Sequence, residues 1–191
     1  MKFSYSLIIF IVILSFEVQG QQAKDFYSII DNVSEERIEK DIRALANFGT
    51  RHTLSDTLSE DRGIGAARRW IFKEFQTIAK ACDGCIEVSY QKNYQELDGR
   101  RIIKPVWINN VVAIQKGTKY PNRYIIMSGD IDSRISDPTN YTDDSPGAND
   151  NASGMAGTIE AARVLSKYRF ENSIIYAGLS GEEQGLFGGA G

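Results

Sequence analysis

Five acidic residues in the C-terminal third could do chemistry together. Asp130 and Asp132 lie two positions apart in "IIMSGDIDSR", just where an apolar run ends at Gly129. Asp150 sits in "PGANDNASG", and Glu182 and Glu183 are adjacent in "LSGEEQG". A carboxylate taken out of water needs a cation or several donors. Between Met127 and Asn151 there are six acids and one base, Arg134. That much negative charge in one crevice raises carboxyl pKa values unless a cation is present. Hard oxygen ligands suit zinc, manganese, magnesium or calcium. Adjacent side chains of an extended segment point different ways. One glutamate can therefore bind a metal while the other holds a water as general base, the usual arrangement of metal-assisted hydrolysis. The plainer alternative is a solvated acidic loop with Asp150 as a helix N-cap. It accounts for Asp150 and not for paired acids at two strand ends.

The elements that would position these groups follow from periodicity. Ile38, Ile42 and Leu45 fall at helical spacing between Ser34, an N-cap candidate, and Gly49, a stop signal. A second amphipathic helix is expected from about Gly63 to Ala79. The polar loop between them carries the only histidine, His52, expected at the surface. Beyond it the texture becomes β: "IEVSYQKNY", "VWINNVVAIQKG" and the continuous apolar runs "RYIIMSG" and "NSIIYAGLSG". Between the last two, Met155, Ile159, Ala162 and Leu165 make a helical stripe. Strand, helix and strand with fully apolar strands imply a parallel crossover in an α/β sheet. In an open α/β sheet, ligands bind beyond the carboxyl ends of the strands. That edge is where Asp130, Asp132, Asp150, Glu182 and Glu183 would meet.

Composition bounds the rest. The chain has 191 residues, 42% of them hydrophobic, and a net charge of −3. No basic run suggests a nucleic-acid partner. Residues 1–20 pair Lys2 with the apolar run "SLIIFIVILSF" and end in small residues, which reads as a secretory signal peptide cleaved after Gly20. The run is short for a membrane span, so no membrane association is expected after cleavage. A secreted or periplasmic location follows, and with it a small loop disulfide between Cys82 and Cys85 in "ACDGC". Residues 21–191 remain for the folded part.

Taken together and in order, "SPGANDNASG" and "GLSGEEQGLFG" resemble the secreted two-zinc exopeptidases. These include bacterial leucyl aminopeptidases, plasma glutamate carboxypeptidase and a glutaminyl cyclase-like branch. The resemblance runs from about residue 34 to 191 and is strongest after Ile125. It implies an α/β fold, a mixed, mostly parallel sheet with helices on both faces, of which this chain would be the N-terminal portion. It implies zinc as cofactor, two ions in a full-length parent, and a peptide substrate. Asp150 matches the carboxylate that bridges the metals, Glu182 the general base and Glu183 the zinc ligand beside it. Asp132 matches the aspartate behind the first ligand, and Asp130 stands where the family has a histidine. Aspartate oxygen binds zinc at nearly the distance of an imidazole nitrogen, so Asp130 is expected to serve as a ligand. The remaining family ligands fall beyond residue 191, so the C-terminal part of the fold is expected to be missing and the chain alone inactive. The expected parent function is metal-dependent removal of a terminal residue from short peptides, favouring an aminopeptidase slightly. The rivals are a single-zinc glutaminyl cyclase-like transferase and a non-catalytic binding domain.

Overall fold

The computed structural model describes residues 26–190. The expected signal segment, 1–20, lies outside the described residues. Among the described residues, those up to Val33 form one unit and those from Ser34 onward form the α/β unit.

Helix α1 spans Glu35–Ala46, its start fixed by the Ser34 hydroxyl accepting the Arg37 N–H at 3.3 Å. Glu35 and Glu36 in its first turn and Arg43 in its last complement the helix dipole. Helix α2 spans Gly63–Ala81, two residues beyond the expected end, and leads into the Cys82–Cys85 disulfide. Strands β1 (Ile86–Gln95), β2 (Val106–Gln115) and β3 (Tyr120–Asp130) follow. Helix α3 (Ser153–Leu165) and strand β4 (Asn172–Leu179) come next, and the single turn α4 covers Glu182–Gly185.

The strand order is β1-β2-β4-β3. Strands β3 and β4 are parallel, with Ile125 beside Ile174 and Asp130 beside Leu179, so β3-α3-β4 is the expected crossover. The β1–β2 and β2–β4 pairs are antiparallel. The α/β class with a mixed sheet therefore holds, but among the described residues one strand pairing in three is parallel. The helices also divide unevenly. Leu45 of α1, Ile71 and Phe75 of α2, and Met155 and Ile159 of α3 share one buried cluster with Val111, Ala113, Ile174 and Tyr176. Because those strand positions share a face, all three long helices cover the same side of the sheet. Arg163 ties the three together, pairing with Asp41 at 3.2 Å, Glu74 at 3.9 Å and Glu160.

The opposite face is apolar and open at the β3 edge, where Tyr124 and Ile126 are 53% and 65% exposed. An apolar edge strand is a template for pairing with another chain. The chain on its own is expected to self-associate. Ile126→Lys should lower its light scattering at equal concentration and change its stability, read from urea melts, by no more than about 0.5 kcal/mol, because the site is a surface one.

Candidate metal centre

The carboxyl ends of β3 and β4 are held in step by the Ile131 N–H, which donates to the Leu179 carbonyl at 2.6 Å. Gly129 lets α3 start directly against the end of β3, since a Cβ there would collide with the backbone of Gly154 and Met155. Asp150 arrives on the turn at 147–152, which opens at Gly147 with a left-handed φ of 46°. The cap of α3 is Ala152 and has no side-chain hydrogen bond, so Asp150 is not an N-cap. The plain explanation of Asp150 as a capping residue does not hold.

The remaining acids share this edge. Asp130 is half-buried, and its carboxyl is pushed up first by burial and then by the charges of Asp150 and Glu183. Glu182 is raised by burial first, then by Asp130, Glu183 and Asp150, with Arg134 opposing. The four carboxylates thus lie within electrostatic reach of one another. Arg134, the one base in the acidic segment, donates to Glu183 at 2.6 Å and neutralises one of them.

Asp132, expected behind Asp130, is buried. It accepts the Thr53 hydroxyl at 2.9 Å and the N–H groups of Glu182 and Glu183, each at 3.2 Å. It anchors the N-terminal end of α4 and so positions both glutamates. Burial nonetheless pushes its carboxyl up to about 6, against the pull of these donors.

Two residues central to the site carried no signal of that role in the sequence. Arg51 is fully buried, and its guanidinium donates to the carbonyls of Ile131 at 2.8 Å, Leu45 at 3.0 Å, Pro146 at 2.6 Å and Gly147 at 3.0 Å. It joins the end of α1 to the two loops that carry Asp130, Asp132 and Asp150. His52, expected at the surface, is completely buried. Its Nδ1 accepts the Leu54 N–H at 3.0 Å, so Nε2 carries the proton and donates towards the Pro138 carbonyl at 3.0 Å and the Gln184 amide oxygen at 2.9 Å. Burial lowers its pKa and keeps the ring neutral. His52 pins the residue that follows Glu183 and is a structural group, because its nitrogens are taken up by these bonds.

The donor chemistry fits a hard divalent cation: half-buried Asp130, Glu182 and Glu183 with exposed Asp150 beside them, the proton affinity of Asp130 and Glu182 raised by burial and by their acidic neighbours. Among the described residues, however, no three His, Cys, Asp or Glu side chains converge closely enough to form a complete ligand set.

A mixed α/β sheet with acids gathered beyond its parallel strand ends defines a fold of the zinc-exopeptidase type. Residues 110–191 match the model of peptidase family M28. A probable zinc metalloprotease of Pyrenophora teres f. teres is 47% identical over 161 residues, covering 84% of this chain and 33% of that protein. An aminopeptidase from Aneurinibacillus sp. strain AM-1 superposes with a TM-score of 0.62 at 16% identity, over 84% of this chain and 66% of the other. A Bacteroides thetaiotaomicron glutaminyl cyclase superposes with a TM-score of 0.60 at 17% identity, over 78% of this chain and 47% of the other. The resemblance to the zinc exopeptidases is borne out. The chain spans about a third of the length of the curated relatives it matches.

Arg51→Met should cost at least about 3 kcal/mol, read as a shift of the urea midpoint, because four carbonyls lose a charged donor. A second expectation concerns pH. Asp132 holds its proton to about 6 when folded and to an ordinary 3.8 when unfolded. The folded state therefore binds more protons between those values, and metal-free stability should fall as pH rises through the window, by up to about 3 kcal/mol. Urea melts at pH 4, 5, 6 and 7 on the metal-free protein check the slope, which Asp132→Asn should flatten.

Proposed function

We propose that the parent of this chain is a secreted zinc-dependent exopeptidase, acting on the terminal peptide bond of short peptides and in slight preference as an aminopeptidase. The observation that carries this is the set of mutually coupled carboxylates at the β3 and β4 ends, with Glu182 and Glu183 adjacent. Support comes from the family M28 match and the zinc metalloprotease relatives. Asp130, Asp150 and Glu183 would hold the metal, completed by ligands outside the described residues. When bound, the metal supplies Lewis acidity at the scissile carbonyl. Glu182 receives the proton of the attacking water as its oxygen bonds to the carbonyl carbon, and returns it to the leaving nitrogen as the C–N bond breaks. The raised proton affinity of Glu182 suits it to hold that proton between the two steps. Asp132 and His52 keep the glutamate turn in place. The signal segment at 1–20 supports export. No helix among the described residues is long and apolar enough to cross a membrane.

A second reading, a single-zinc glutaminyl cyclase-like transferase, is favoured by Asp130 in place of the family's histidine and by the cyclase neighbours. Two experiments on the full-length parent separate the readings. Glu182→Gln should lower turnover of aminoacyl anilides by about 10²–10⁴-fold with little change in KM. Elemental mass spectrometry should find two zinc equivalents in the wild type. One equivalent, rising to two in Asp130→His, together with cyclisation of N-terminal glutamine, would instead establish the transferase.

A further inference from the structure

Arg51 and Arg68 are both buried cations, and among the described residues neither forms an ion pair, but their surroundings differ. Arg51 meets four carbonyls. Arg68 is 5% exposed, and its one hydrogen bond among the described residues runs from Nε to the Ile64 carbonyl at 3.3 Å. The rest of its guanidinium takes no acceptor among the described residues and is left to the solvent of a cleft, where an anion could replace water. Arg68 lines a cleft of about 660 Å³ with Lys92, Lys104, Tyr94 and Trp107. Three cations and no acid line this cleft, in a chain whose net charge is −3. Arg69 extends the basic wall into an adjoining cavity of about 180 Å³. Tyr94 and Trp107, with ring centroids 5.1 Å apart, give the same wall an aromatic surface.

The cleft opens on the edge of the sheet that holds the carboxylates. Antiparallel pairing sets the start of β2 and the end of β1 beside the carboxyl end of β4. The Asn109 carbonyl accepts the hydroxyl of Ser180, two residues before Glu182, at 2.7 Å. Leu54 on the cleft wall follows Thr53, whose hydroxyl is bonded to Asp132.

We propose that this cleft receives a carboxylate of an acidic peptide, with Arg68 as the anchoring cation and Lys92 and Lys104 at its rim. The proposal rests on the peptidase reading and deepens it by naming a substrate class: short peptides with an acidic group away from the scissile bond. The planar guanidinium matches a carboxylate in two parallel hydrogen bonds, and the exposed Trp107 offers the peptide an apolar contact.

Titration calorimetry of the full chain with tetraglutamate and with tetraglutamine tests it without any turnover. The wild type should bind tetraglutamate at least about tenfold more tightly, and the difference should shrink with added salt. Lys92→Glu combined with Lys104→Glu should abolish the preference. These two positions are exposed, so the test survives if Arg68→Met fails to fold. Equal affinity for the two peptides, no binding of either, or an unchanged preference in the double variant would overturn the proposal. Displacement of tetraglutamate by equimolar inorganic phosphate would also overturn it, marking a general oxyanion site. A full-length parent that keeps the preference and hydrolyses no peptide would sink the peptidase reading and leave the carboxylate cleft standing. One that cleaves neutral peptides and shows no preference would do the reverse.

Discussion

The guanidinium of Arg51 sets the geometry on which the acidic edge depends. An arginine stays charged under any condition in which the chain is folded, so once buried it must find acceptors for its donors. Here the acceptors are the carbonyls of Leu45, Ile131, Pro146 and Gly147. Ile131 lies between Asp130 and Asp132, and Gly147 opens the turn that carries Asp150. Fixing those carbonyls fixes where the three aspartates leave the backbone. Because the acceptors are neutral, the cation organises the loops without claiming any site carboxylate as its counter-ion.

The carboxylates are settled by other means, and unequally. Asp132 draws three donors and binds the two glutamates through their backbone. Arg134 takes Glu183. Asp130 and Glu182 are left with raised proton affinity and acidic neighbours. A crevice built this way gains most from a cation between the acids that Arg134 does not reach. It also leaves Glu182 with a raised proton affinity, through burial first and then the charges of Asp130, Glu183 and Asp150.

The parts of the fold visible in the sequence are those written in local pattern. Periodicity located α1, α2, α3 and the apolar strands, and the placement of acids after strand ends pointed to a shared edge. The parts that were not visible depend on partners distant in the chain. Arg51 reaches acceptors 80 to 96 positions away, and an arginine in a polar loop looks like any solvated one. His52 lies in an equally polar stretch, and only the approach of Leu54 and Gln184 shows that its nitrogens are occupied. The segment between β1 and β2 does carry a turn signal, Asp98-Gly99, where Gly99 takes a left-handed φ of 69°, whereas the antiparallel join of β2 to β4 was hidden because its partners lie far apart in the chain. Arg68 reads as the polar side of an amphipathic helix until the β1–β2 pair closes over it.

Charge is sorted along one edge of the sheet. At the β3–β4 end Asp130, Asp150, Glu182 and Glu183 gather, with Arg134 paired to Glu183 and Arg101 donating to the Glu183 carbonyl. At the β1–β2 end the cleft is lined by Arg68, Lys92 and Lys104 with no acid. In a low-dielectric crevice such a division acts on a peptide as a field along its length. An ammonium end is drawn towards the acids and a carboxylate towards the arginine, so a peptide entering in reverse meets like charge at both ends. Discrimination of this kind comes from repulsion of the wrong orientation as much as from attraction of the right one. On the proposed peptidase reading, it would favour the free amino terminus at Glu182 and substrates that carry their acidic group farther along the chain.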